Sequence, residues 1–237
     1  RRLGVWANAD TPTDASQANA LGAEGIGLCR TEHMFLDPQR LPAVRRMLLN
    51  AESAQQWRLA NPDSGPDAAD MPADVAEFFQ ALDEVRQLQT DDFTQILRVM
   101  AGRSVIIRLL DAPLHEFLPP HDALLAELAE LRVNGAPRAE IKEREIFLIL
   151  VESLRAANPM LGHRGCRLGL TYPAIYEMQV EAIITASGQL TKDGVQVHPE
   201  IMVPLTTTLE EMRRLRVALT GVAGRVQQEM SVSVPYK

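Results

Sequence analysis

The feature that most constrains the fold is an alternation, running along all 237 residues, of short apolar runs with segments of helical period. That alternation is the pattern of successive βα units around a parallel sheet. Val5–Asn8, Gly25–Arg30, Ser104–Leu110 and Glu200–Leu205 read as strands, and Val232–Tyr236 as the start of one more. Helical patterns lie between them. Asp14 with Gln17 suggests a capping box and Gly22 a stop. A long helical region covers Ala43 to Ala60, and the pattern resumes with Val75, Phe78, Leu82 and Val85, then Phe93, Ile96 and Met100. Ser104–Leu110 is followed by stripes at Leu124, Leu128 and Leu131 and at Ile146, Phe147, Leu150 and Leu154, the latter on a helix ending near Asn158-Pro159. Pro173 opens another helix, and Thr208 with Glu211 makes a capping box for the last. Residues 61–73, rich in Pro, Asp, Ser and Gly, read as a loop or insertion.

The expected fold class is therefore α/β, a (β/α)8 TIM-type barrel present only in part. Long insertions consume length that a barrel of roughly 250 residues needs, so about the first five to six strands are expected. Residues 1–237 are taken as one partial barrel domain, left open.

Charge narrows the ligand. The formal net charge is −7, which argues against nucleic acid or an acidic membrane surface as a partner. No run is long enough to span a bilayer. An anionic ligand must then be held by a few well-placed cations. Cys29 and Cys166 make no disulfide framework and suit a reducing compartment, expected to be the cytoplasm.

Three segments supply such cations. In Gly27-Leu28-Cys29-Arg30-Thr31-Glu32-His33, strand alternation puts Ile26, Leu28 and Arg30 on one face and Cys29 on the other. In Arg108-Leu109-Leu110-Asp111, Ile106 and Arg108 share a face. The third segment is Asn158-Pro159-Met160-Leu161-Gly162-His163-Arg164-Gly165-Cys166-Arg167. A planar, permanently charged fork suits a carboxylate or phosphate. Buried without partners it would be costly, so the alternative is an ion-pair network with Glu32, Asp111 and Glu116. Glu32, Asp111 and His163 are read as groups that orient the arginines. The remaining histidines lack metal-ligand spacing, His198 reads as a turn residue, and no metal ligand is assigned.

These segments carry a resemblance. GLCRTEHMF, RLLDAPLHEFLP, NPMLGHRGCRLGLTYPAIYEMQ, HPEIMVPL and the opening VWANADTP resemble the pyruvate phosphate dikinase family of phosphoenolpyruvate-utilising enzymes. The resemblance runs from Leu3 to Lys237 and is weakest across residues 58–92 and 121–145. Phosphoenolpyruvate synthases and sugar-phosphotransferase Enzyme I share the arginines but lack the Leu-His-Glu-Phe-Leu-Pro segment. Ala112 stands where the family pattern usually has Pro.

The resemblance implies a transferase whose parent interconverts ATP, phosphate and pyruvate with AMP, pyrophosphate and phosphoenolpyruvate. By motif, Arg30 and Arg108 would be catalytic, gripping the phosphoryl group in transit and the enolate. Arg164 would be a further substrate contact, as would Arg167. The Mg2+ ligands and the cysteine acid are expected beyond Lys237. Phosphohistidine and ATP-binding domains of the parent chain are the expected partners, in a homo-oligomer. The chain alone is expected to be inactive. The alternatives are a phosphoenolpyruvate synthase or Enzyme I, and a non-catalytic anion-binding or scaffolding fragment.

Overall fold

The computed structural model describes residues 3–65, 68, 70–154 and 162–237. Contacts divide the chain into two compact units, Arg1–Asp111 with Gly165–Lys237, and Ala112–Arg164.

The first unit is built on a parallel sheet in sequential order: β1 (Trp6–Asn8), β2 (Gly25–Arg30), β3 (Ser104–Arg108) and β4 (His198–Met202). Four strands are described where five to six were expected. His198 is not a turn residue but the first residue of β4, paired with Ser104. Pro204 and a left-handed Leu205 (φ 57°) end that segment early. Val232–Tyr236 is not a strand, although Lys237 begins to pair with β4. Its N–H donates to the Pro199 carbonyl at 3.3 Å, and its carbonyl accepts from Ile201 N–H at 2.8 Å.

Helices connect the strands. α1 (Pro12–Ala20) is capped by Thr11, whose Oγ1 accepts Asp14 N–H at 3.1 Å, so the cap is Thr11 and not Asp14. α2 (Thr31–Phe35) starts directly after β2. The expected helix over Ala43–Ala60 is two, α3 (Leu41–Leu49) and α4 (Ala51–Ala60). They meet at Asn50, whose side-chain amide donates to the Arg46 carbonyl at 2.9 Å, sharing it with the Asn50 backbone N–H at 3.3 Å. α5 (Ala73–Val99) is one helix of 27 residues, about 40 Å long. It buries Val75, Phe78, Ala81, Val85, Phe93, Ile96 and Leu97 at helical spacing.

In the second unit, α6 (His121–Val133) buries Leu124 and Leu128. α7 (Arg138–Leu154) buries Leu148 and Val151, while Ile146, expected on the apolar stripe, is exposed. The end expected near Asn158-Pro159 lies outside the described residues.

Back in the first unit, α8 (Cys166–Thr171), α9 (Pro173–Lys192) and α10 (Leu209–Met230) follow. α9 packs against both α5 and α10. The capping box of α10 is formed: Thr208 Oγ1 accepts Glu211 N–H at 3.2 Å, and the Glu211 carboxylate accepts Thr208 N–H at 2.8 Å.

Candidate functional site at the strand ends

In an all-parallel sheet every strand points its carboxyl end to the same rim, where open α/β sheets and barrels place ligands. Arg30 ends β2 and Arg108 ends β3, and the two are register partners. An extra residue between Ile26 and Cys29 puts Ile26 opposite Val105 and Cys29 opposite Ile107. Ile26, Cys29, Val105 and Ile107 are all fully buried. The irregularity thus removes Ile26 from the face expected to hold it with Leu28 and Arg30. The two arginines remain on the other face, half-buried.

Arg30 is held by Asp10, in the turn after β1. Asp10 Oδ2 accepts Arg30 Nε at 2.9 Å and Nη2 at 2.6 Å, and Oδ1 accepts the Arg30 backbone N–H at 2.7 Å. His33 Nδ1 lies 2.9 Å from Oδ2. Burial pushes the Asp10 carboxyl up, but the bonds and charge of Arg30, with His33, outweigh it and hold the group below the usual carboxylate range. The hydrogen bond to Asp10 raises Arg30 in turn. Arg30 Nη1 bonds to none of the described residues.

Arg108 is held differently. Its Nη2 pairs with Glu32 Oε1, and its Nη1 lies 3.2 Å from Asp111 Oδ2. Glu32 Oε2, Arg108 Nε and Thr31 Oγ1 are buried without a hydrogen-bond partner among the described residues. Each unmade bond is costly. Asp10, Glu32 and Asp111 thus place three carboxylates against the Arg30 and Arg108 guanidiniums.

The loop bearing Asp111 is fixed from α9. Gln179 Oε1 accepts Leu110 N–H at 2.8 Å, and Tyr176 Oη donates to the Leu110 carbonyl at 2.9 Å. Gly165 lies against the same carboxylate: a Cβ there would sit 3.0 Å from Asp111 Oδ1 and 3.0 Å from Leu205 Cβ. Cys166 N–H donates to the Pro204 carbonyl at 3.0 Å, and its thiol to that of Leu205 at 3.2 Å, joining α8 to the loop after β4. Arg167, on α8, is exposed. His163 and Arg164 belong to the second unit, and residues 158–161 of their motif lie outside the described residues.

Asp10 has no role in the motifs read from the sequence, and its one signal there is position: an acid two residues past the end of one strand, on the rim where the neighbouring strand ends in arginine. Burial pushes both thiols, Cys29 and Cys166, above their ordinary pKa. Among the described residues no group of three or more His, Cys, Asp or Glu could hold a metal ion. Glu32 and Asp111, the carboxylates nearest such a role, are committed to Arg108, so these side chains do not fit a Mg2+ centre. Nor is any described helix long and apolar enough to cross a membrane.

Comparison with known proteins places this arginine rim in context. The family model for the PEP-binding domain of PEP-utilising enzymes matches residues 1–237. The chain belongs to the PEP-utilising enzyme family. Its relatives include pyruvate, phosphate dikinase of Entamoeba histolytica, 39% identical over the whole of this chain and 24% of the relative. The chloroplastic pyruvate, phosphate dikinase of Flaveria trinervia is 46% identical over the whole chain and 22% of its own length. The pyruvate, phosphate dikinase of Rhizobium meliloti is 41% identical, again over the whole chain and 23% of the relative. The chain thus spans less than a quarter of the length of these relatives. As a PEP-binding domain of this family, it sets its two strand-end arginines side by side.

Proposed function

We propose that this chain is the phosphoenolpyruvate- and pyruvate-binding part of a pyruvate phosphate dikinase. The whole enzyme would interconvert ATP, phosphate and pyruvate with AMP, pyrophosphate and phosphoenolpyruvate. The sequential, all-parallel strand order suits a segment of a βα barrel. The observation that carries the reading is that Arg30 Nη1, at the strand-end rim and next in register to Arg108, bonds to none of the described residues. An anionic phosphoryl or carboxylate group would bind there by two parallel N–H donations.

Arg108, with carboxylates on both terminal nitrogens, would act as a fixed dipole of charge unless a ligand displaces Glu32 or Asp111. Arg167, on α8 of the same unit, is assigned as a further anion contact by its motif. The role of Arg164 rests on its motif alone. These residues supply binding and charge stabilisation, the main protein contribution in phosphoryl transfer. None of these arginines is a metal ligand or a proton donor for the enolate, and the reading expects the chain alone to bind without turning over.

Calorimetric titration of the chain with phosphoenolpyruvate tests this. Saturable binding that Arg30→Ala abolishes is expected. Binding unaffected by Arg30→Ala, or no binding at all, would contradict it.

A further inference from the structure

We infer that Asp10 is a positioning residue of this site, fixing which edge of the Arg30 guanidinium faces the anion. The inference rests on the reading of Arg30 as the anion-binding group. A guanidinium can pair bidentately through its Nε side or through its two terminal nitrogens. Asp10 occupies the first edge, taking Nε at 2.9 Å and Nη2 at 2.6 Å. Among the described residues nothing takes the other edge, Nη1 with the outer hydrogen of Nη2, which suits a second carboxylate or a phosphoryl group.

The same carboxylate also binds the backbone N–H from which that side chain departs, at 2.7 Å. Both ends of Arg30 are thereby fixed by one group, and a fork ordered in advance loses less freedom when the ligand arrives. Asp10 is itself anchored. It is 6% exposed, and Ala9 N–H donates to the Leu28 carbonyl at 3.1 Å, joining the turn after β1 to β2. His33 Nδ1 supplies a further contact at 2.9 Å. Glu32, beside His33 on α2, is engaged with Arg108 and leaves Arg30 to Asp10.

The substitution that isolates this role is Asp10→Asn. It keeps one acceptor oxygen, removes the charge and sets an amide N–H2 against the arginine donors. Asp10→Glu keeps the charge at a displaced position. Two measurements are needed. In 15N-labelled chain, the Arg30 Nε–Hε resonance reports the pairing directly, whether or not any ligand binds. In the full-length protein, single-turnover pyruvate half-reaction kinetics report the use made of it.

Asp10→Asn is expected to expose Nε–Hε to fast solvent exchange and to slow the pyruvate step about a hundredfold, the scale of a misplaced catalytic group. The ATP half-reaction should be unchanged and Asp10→Glu partly restored. An unchanged Nε–Hε signal overturns the inference, as does an altered signal with an unchanged pyruvate step. If Asp10→Asn does not fold, Asp10→Glu must itself slow the pyruvate step, and a wild-type rate there overturns the inference. Should Arg30→Ala leave the pyruvate step intact while the Nε–Hε signal still depends on Asp10, the role assigned to Arg30 fails and the pairing stands.

Discussion

Arg30 and Arg108 face each other in register across β2 and β3, yet one guanidinium has a terminal nitrogen that bonds to none of the described residues while the other has both terminal nitrogens paired with carboxylates. Equivalent positions on adjacent strands therefore carry unequal cations. On the proposed reading, Arg30 would meet a ligand directly, whereas Arg108 would have to exchange a protein partner for one.

Gly165 should tolerate no side chain. Its φ of 58° with ψ of −136° lies where only glycine is comfortable, and a Cβ would press on Asp111 and Leu205. Gly165→Ala is expected to destabilise the fold by about 1–3 kcal/mol. Urea denaturation monitored by circular dichroism measures this, and an unchanged midpoint would refute the described backbone.

Gln179→Leu should be more harmful than Tyr176→Phe. Removing the Gln179 amide leaves the buried Leu110 N–H unpaired, a cost of about 1–3 kcal/mol. Tyr176→Phe leaves only a carbonyl short of one donor and should cost about 1 kcal/mol. Equal effects in parallel denaturation curves would show that Leu110 is not held as described.

Glu211 gives a pH dependence of definite sign. Hydrogen bonds from the backbone N–H groups of Thr207 and Thr208 hold its pKa at about 2, below the ordinary 4.5. A depressed carboxylate stabilises the fold above its unfolded pKa and loses that contribution as pH falls from 4.5 towards 2. Glu211→Gln should therefore lower the melting temperature at pH 7 and converge on wild type near the low end of that window. A constant difference across the range would exclude the carboxylate as its source.

Much of this site is legible in the sequence because strand alternation is local. Arg108 with Ile106, and Cys29 opposite Arg30, follow from the period of two. The bulge that moves Ile26 is not local, since it depends on the register of β2 against β3. Glu32, next but one to Arg30, reads as its partner along the chain. α2 begins at Thr31, and the helical turn carries Glu32 towards β3 and Arg108. Asp10 and Arg30 are twenty residues apart and meet only once β1 and β2 pair. The division at Asn50 is not legible because the apolar pattern of α3 continues into α4.

The most direct measurement is the pair of half-reactions in the full-length protein carrying Arg30→Lys. Lysine keeps the charge but loses the second edge of the fork, so it cannot hold Asp10 and an anion together. Losing one preorganised donor costs roughly 3 to 4 kcal/mol, about a hundred- to a thousandfold in rate. The pyruvate half-reaction should fall by that factor while ATP-dependent self-phosphorylation proceeds at the wild-type rate. If both half-reactions decline together, in step with a lowered melting temperature, Arg30 serves the fold through Asp10 and not the ligand.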